Sequence, residues 1–225
     1  MSLNTRLSLG IATAFALVVG VLLVVNATKS PSTPSSGGTV ESRSGETVDP
    51  RLVRPDSHRL DTAPDGKVTF VEFLDFECEA CAAAFPAIEK LREQYDGKVT
   101  FVVRYFPIES HFNAERAARA VEAASKQGKF EAMYQKMYQS QGEWGEQQVP
   151  ADAKFRSFAK DLGLDLTAFD KAYADPATLA RVKKDAEDGI AVGVRGTPSF
   201  FLNGKQIQPQ SLDELTAAID AELNR

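Results

Sequence analysis

Cys78 and Cys81 are the only cysteines in a chain of 225 residues, and only Glu79 and Ala80 stand between them. A β-rich apolar run, Val68–Leu74, meets a short polar turn that delivers the pair to an Ala-rich helical stretch; residues 68–84 read VTFVEFLDFECEACAAA. At the start of a helix, unpaired backbone N–H groups and the helix dipole favour a thiolate. The thiolate is the attacking species in thiol–disulfide exchange. Cys78, nearer the helix end, is the candidate nucleophile, and Cys81, one turn in, is the candidate resolving thiol. Three other readings compete. A disulfide kept only for structure would close too small a loop to restrict the unfolded chain much. A zinc or copper site would need more ligands, and the two histidines, His58 and His111, flank the cysteines without the paired spacing of a zinc finger. The third is a pair of inert buried thiols.

The flanking sequence supplies the elements that must hold the pair. Pro64-Asp65-Gly66 is a turn signal. It leads into Val68–Leu74, a β-branched and aromatic run that predicts a strand buried on both faces. Glu72 lies inside that run. A carboxylate in an apolar layer is costly unless it is protonated, paired or near water, so Glu72 is either a solvated side chain at an edge or a buried acid with a function. Residues 82–95 carry Phe85, Ile88, Leu91 and Tyr95 at helical spacing, with Pro86 expected to disturb the first turns. Asp96-Gly97 ends that helix, and Val99–Phe106 reads as a second strand. Strand, helix, strand predicts two parallel strands joined by a right-handed crossover.

A helical block follows, at about residues 113–192. Its stripes are Ala117, Val121 and Ala124; Phe130, Met133, Tyr134, Met137 and Tyr138; Phe155, Phe158, Ala159 and Leu162; and Leu166, Phe169 and Tyr173. Stripes of this kind are helix-packing surfaces. Asp175-Pro176 opens one more helix, with proline at the first helical position. Beyond Arg195-Gly196-Thr197-Pro198, strands Ser199–Leu202 and Lys205–Ile207 form a hairpin through the type I′ turn Asn203-Gly204. Ser211 and Glu214 form a capping-box pattern at the start of the last helix. The order is βαβ, helical block, ββα. It predicts an α/β fold with one mixed sheet, helices on both sides, and the helical block as an insertion.

The N-terminal end is of a different character. Leu7–Val25 is uncharged and apolar, about long enough to cross a bilayer as a helix. Residues 1–25 therefore read as a short stub and a transmembrane anchor, N-terminus inside and the rest of the chain outside. The alternative is a cleaved signal peptide, for which Val25-Asn26-Ala27 is an imperfect cleavage site. Residues 26–48, rich in Ser, Thr, Gly and Pro, are an expected disordered linker. Residues 49–225 make a single domain of ordinary size. With either N-terminal reading the domain works outside the cytoplasm, where disulfides form and persist. The formal charge of −5 comes without a basic stripe, which argues against nucleic-acid binding.

Three separated features together resemble the DsbA-like branch of the thioredoxin superfamily, the membrane-tethered bacterial thiol:disulfide oxidoreductases. They are VTFVEFLDFECEAC, the helical insertion, and RGTPSFFLNGK at residues 195–205. The resemblance covers about Pro64 to Arg225. It implies a thioredoxin fold with an inserted helical domain, and it assigns Cys78 as nucleophile and Cys81 as resolving cysteine. Glu72 matches the buried acid that takes the resolving thiol's proton; desolvation should raise its pKa. Pro198 matches the cis-proline that faces the disulfide, and Thr197 the residue whose backbone pairs with substrate main chain. The resemblance implies no cofactor and no metal. It implies substrates that are thiols of secreted or cell-envelope proteins, and a membrane quinone-linked oxidase, DsbB- or VKOR-like, as reoxidant. Nothing resembles a separate dimerisation domain, so a monomer is expected.

One departure bears on the direction of electron flow. Strongly oxidising members carry C-P-H-C, whereas Glu79-Ala80 offers no cation and places a negative charge beside Cys78. Like charge disfavours a thiolate, which predicts a weaker oxidant. Thr197 before the proline also resembles the isomerase-type members. The leading reading is an oxidase that forms disulfides; the alternative is a reductase or isomerase supplied with electrons across the membrane. A metal-delivery protein using the cysteines with His58 or His111, and a peptide-docking module, are the readings from other classes.

Overall fold

The structure is a computed structural model that describes residues 48–225. The expected anchor or signal segment and all of the expected linker except Val48 lie outside the described residues. Among the described residues, no helix is long and apolar enough to cross a membrane.

Five strands form one sheet in the order β1-β3-β2-β4-β5. They are β1 (His58–Asp61), β2 (Thr69–Leu74), β3 (Thr100–Tyr105), β4 (Ser199–Leu202) and β5 (Lys205–Ile207). Helix α1 (Glu79–Gln94) connects β2 to β3, which pair in parallel with Glu72 opposite Val103 and Phe73 opposite Arg104. β4 runs antiparallel to β2 and places Phe200 opposite Glu72. The turn from β4 to β5 has both Asn203 and Gly204 at positive φ, 46° and 88°, as a type I′ hairpin requires. The final helix, α7 (Leu212–Leu223), is capped by Ser211, whose hydroxyl accepts from Glu214 N–H. The reciprocal bond comes from Gln210 N–H to Glu214 Oε2, one residue earlier than the capping-box pattern implies.

Side chains alternate across each strand, so β2 and β3 present two distinct faces. Val68, Phe70, Phe101 and Phe200 pack with Ile88 and Leu91 of α1 and with Leu215 and Ile219 of α7. The opposite face packs Val71, Phe73, Val102, Phe106 and Phe201 with Leu52 and Val194. Strand β1, antiparallel to β3 at the sheet edge, is an addition to the four strands expected from sequence. HRLD carries neither clean alternation nor an apolar run, so its pairing is set by the waiting edge of β3 and not by local propensity.

Between β3 and β4 lie α2 (Ala114–Ser125), α3 (Phe130–Gln139), a 3-10 turn (Gln141–Glu143), α4 (Asp152–Asp161), α5 (Leu166–Ala174) and α6 (Pro176–Ala191). The predicted stripes are its core: Val121, Met133, Tyr134, Met137, Phe155 and Phe158 are buried together with Cys81 and Leu74. Asp175 caps α6 by accepting from Ala177 N–H, with Pro176 in the first turn. α6 returns close over the second sheet face. A Cβ added at Gly189 would come within 2.8 Å of the Phe106 ring and 3.0 Å of the Phe73 ring, so only glycine permits this approach. α1 runs unbroken through Pro86.

Candidate active site

Cys78 is the N-cap of α1, with extended backbone (φ −69°, ψ 120°), and Cys81 lies in the first turn. Both are free thiols and both are buried, Cys78 at 8% exposure and Cys81 at 1%. That ordering follows from the helix: the cap residue stands at the surface end, and the residue one turn in faces the sheet. The Cys78 thiol is held down at about 5. A hydrogen bond from Cys81 contributes most, followed by Thr197 and the backbone N–H groups of Cys81 and Ala80, while burial opposes them. The Cys81 thiol is pushed well above the ordinary range by burial, by its bond to Cys78 and by Glu72. The two thiols are therefore separated in acidity into an ionised outer member and a protonated inner one.

Glu79-Ala80 is not what sets the Cys78 thiol. The dipeptide supplies no cation, yet the thiolate is stabilised by donors that any residue pair would leave in place: the helix N-terminus, the Cys81 thiol and Thr197. Glu79 is exposed, at the edge of the cavity beside Cys78.

Thr197 comes from the other half of the fold. The Thr197–Pro198 bond is cis, and the Cys78 thiol donates to the Thr197 carbonyl oxygen at 3.4 Å. The Thr197 hydroxyl is buried and has no partner of its own. When Cys78 loses its proton, that hydroxyl is the donor at hand, which accounts for its part in lowering the thiol's pKa.

Glu72 is buried at 4% exposure in the central strand and is not a solvated side chain at an edge. It makes no hydrogen bond or ion pair among the described residues, and burial, Cys78 and Glu89 push its pKa up to about 8. It acts in turn on Cys81, whose pKa it raises. A carboxyl that is neutral at pH 7 and lies within electrostatic reach of the resolving thiol can exchange a proton with it.

The two histidines are brought to different places. His58, on β1, is stacked on Phe130 with centroids 3.9 Å apart, and its Nε2 lies 2.6 Å from Glu122 Oε2. His111 lies in the loop before α2 and shares a cavity of about 570 Å³ with Cys78. Among the described residues, no three His, Cys, Asp or Glu side chains are grouped to hold a metal ion.

Several residues around the pair escaped sequence reasoning. Gln141 of the 3-10 turn donates to the carbonyls of Phe76 at 2.8 Å and Cys78 at 3.0 Å, and Tyr138 donates to the Asp75 carbonyl. The Glu77 carboxylate accepts from Asn113 N–H and Glu146 N–H, and Asp75 accepts from Glu77 N–H and Ile108 N–H. The helical insertion thus clamps the turn that presents Cys78. The only signal in sequence was the density of polar residues in an otherwise apolar stretch, Asp75-Phe76-Glu77.

A thioredoxin fold with a Cys-x-x-Cys pair at the first helix and a cis-proline opposite defines the class. The sequence model of the family described as Thioredoxin matches residues 62–221, and the chain belongs to that family. Among solved structures it is similar to a thioredoxin-like oxidoreductase from Silicibacter pomeroyi DSS-3, at 27% identity and TM-score 0.65, covering 78% of this chain and 98% of that one. The fold is also DsbA-like. It matches alpha-DsbA1 of Wolbachia pipientis at TM-score 0.69 and 20% identity, covering 77% of this chain and 94% of that one. It matches oxidised BdbD of Bacillus subtilis at TM-score 0.67 and 22% identity, covering 75% and 94%. A curated relative of another description is Na(+)/H(+) antiporter NhaA 1 of Mycobacterium sp. (strain KMS), 33% identical over 177 residues. That match takes in 76% of this chain and 28% of the antiporter, so the chain spans little more than a quarter of that relative's length.

Proposed function

We propose that this protein is an extracytoplasmic protein-disulfide oxidoreductase that passes the Cys78–Cys81 disulfide to thiols of secreted or cell-envelope proteins. In this reading a substrate thiolate attacks Cys78, a mixed disulfide forms, and Cys81 departs and takes a proton from Glu72. A second substrate thiol then attacks the mixed disulfide and releases Cys78 as a thiolate. Thr197 and Pro198 offer the surface on which substrate main chain aligns beside Cys78. A membrane quinone-linked oxidase, of the DsbB or VKOR kind, returns the pair to the disulfide. Residues 7–25 serve as anchor or as signal, and the working domain is a monomer.

The observation that carries the direction of transfer is the depressed Cys78 thiol, at about 5. A stabilised thiolate stabilises the dithiol form and makes the disulfide a stronger oxidant. Thr197 before the proline favours the second reading, a reductase or isomerase fed with electrons across the membrane. The reduction potential of the Cys78–Cys81 couple against a glutathione buffer separates the two, with the Cys78→Ala chain as a blank that has no couple. A value near about −120 to −180 mV is expected and belongs with oxidases and isomerases; a value near about −270 mV would place the protein with reductases.

A further inference from the structure

The proposed chemistry leaves one requirement unmet: the incoming substrate thiol must lose its proton. An alkyl thiol is mostly protonated at neutral pH. The cavity beside Cys78 offers no fixed cation to favour its ionisation, since among the described residues no Lys or Arg lines it. It offers carboxylates instead: Glu77 from the β2–α1 turn, Glu79 from the first turn of α1, and Glu146 from the loop after the 3-10 turn. A substrate thiolate formed in bulk water would be repelled by this wall. A thiol that arrives neutral and is deprotonated in place avoids that repulsion.

His111 is the one imidazole on that wall, together with Ser110 and Phe112. Its Nδ1 lies 2.7 Å from Asp75 Oδ2, and Asp75 itself is fully buried and anchored by two backbone N–H donors. With the ring neutral and Asp75 ionised, Nδ1 donates to the carboxylate and Nε2 keeps its lone pair. The ring is 33% exposed, so it is fixed at one nitrogen and reachable by a ligand. Of the basic side-chain types facing the cavity, an imidazole is closest in basicity to an alkyl thiolate, which is the condition for efficient proton transfer.

We propose that His111, oriented by Asp75, is the general base that deprotonates the substrate thiol in the cavity beside Cys78. This rests on the oxidoreductase reading above and deepens it. Substrate R–SH gives its proton to Nε2 of His111, and R–S⁻ attacks Sγ of Cys78 in the disulfide form. The R–S–S–Cys78 bond forms, the Cys78–Cys81 bond breaks, and the electron pair leaves on Cys81 Sγ, which takes the proton of Glu72. In the reverse direction His111 returns its proton to the departing substrate thiolate. Asp75 is a positioning residue and does not touch substrate.

The test is a single-turnover reaction of the full chain in its disulfide form with two probe thiols at about pH 7.5. Mercaptoethanol, an alkyl thiol, is protonated there; thionitrobenzoate, an aryl thiol, is already ionised. His111→Gln is expected to slow mercaptoethanol about tenfold or more and thionitrobenzoate less than twofold. The difference between the probes should close as the pH rises towards 9, and added imidazole should restore part of the lost rate. Equal slowing of both probes, or of neither, would overturn the proposal. The ring is partly solvated, so the substitution opens no internal cavity, and His111→Asn repeats the test should the glutamine variant fail to fold. A wild-type chain that forms no mixed disulfide with either thiol would instead overturn the oxidoreductase reading itself.

Discussion

The two faces of the central sheet each bury carboxylates, and they treat them in opposite ways. On the α1 face, Glu72 stands opposite Val103 and Phe200 without a cation, and its pKa climbs to about 8. One residue along β3, on the other face, Arg104 is fully buried and holds two carboxylates of α6: Asp185 Oδ1 at 2.7 Å from Nε and Asp188 Oδ2 at 2.8 Å from Nη2. Arg104 also donates to the carbonyls of Arg51 and Leu52. Arg54 reaches Asp188, and Arg181 reaches Asp185 at 2.5 Å. Against the burial that would raise it, Arg54, Lys184 and Arg104 hold Asp188 well below the usual carboxylate range. The paired face fixes α6 to the sheet. In the proposed function, the unpaired face keeps a proton available to Cys81. A compensated buried charge serves architecture, an uncompensated one is what the proposed chemistry uses, and that difference can be tested by exchanging their circumstances.

The largest effect should come from removing the compensation. Arg104→Met leaves Asp185 and Asp188 buried without their central cation and leaves two backbone carbonyls without a donor. Breaking a buried pair from one side costs about 3–5 kcal/mol, which urea unfolding of the domain would register. Acid should then discriminate the variants. Asp188 has a depressed pKa, so the stability it contributes is fully present above the ordinary carboxylate value of 3.8 and is lost as pH falls through its folded value. The wild-type protein should weaken on acidification through this cluster, and Arg104→Met should weaken less steeply, with Arg54 and Lys184 still holding Asp188. A variant as stable as wild type at pH 7 would mean that the cluster is solvated and not structural.

The opposite slope is expected at Glu72. Its folded pKa is raised, so its contribution is fully present below about 4.5 and is lost as pH rises through about 8. Cys78 works against this in the dithiol form, because a thiol depressed to about 5 gains the fold stability as pH rises towards 9. The disulfide form removes that opposing titration. In the oxidised protein, Glu72→Gln should equal wild type near pH 5 and exceed it by about 3 kcal/mol near pH 9, with the gap opening between. The same variant should slow the release of Cys81, because the proton donor is gone. Parallel stability profiles for the two proteins would show that Glu72 titrates like a solvated carboxylate.

These contrasts also mark what the sequence could and could not convey. Glu72 was conspicuous because a carboxylate interrupted an apolar strand, and the Cys-x-x-Cys, Thr197-Pro198 and the insertion stripes were legible because each is a local pattern. Arg104 interrupts β3 just as Glu72 interrupts β2, yet its partners lie more than 80 residues away on α6, where Asp185 and Asp188 read as ordinary polar positions of an amphipathic helix. The clamp on the active-site turn was hidden for the same reason: Gln141 and Asn113 act through backbone groups, which leave no trace of pairing in a sequence. Strand β1 was missed because its place is decided by the free edge of β3. His111 was visible only as one of two histidines; its role depends on a cavity that exists once the insertion has packed against the turn.

Another buried carboxylate lies between the extremes and gives the smallest test. Glu122 of α2 is nearly fully buried, and its pKa is about 2: burial would raise it, but His58 and Lys126 more than offset that. Its partners differ from Arg104 in exposure. Lys126, 2.8 Å away, is more than half exposed, and His58 at 2.6 Å is partly so. A half-solvated ammonium is screened by water and costs side-chain entropy to hold, so such a pair contributes roughly 0.5 kcal/mol. Lys126→Met should therefore lower stability by about that amount, as read by urea unfolding at low salt, and the loss should shrink in 1 M salt, where the Debye length is about 3 Å. The Arg104 variant, whose cluster is sealed from water, should show no comparable salt dependence. If Lys126→Met instead costs as much as Arg104→Met, exposure of the partner is not what separates structural from marginal compensation in this fold, and the Tyr105 hydroxyl, 3.2 Å from Glu122 Oε2, becomes the next group to remove.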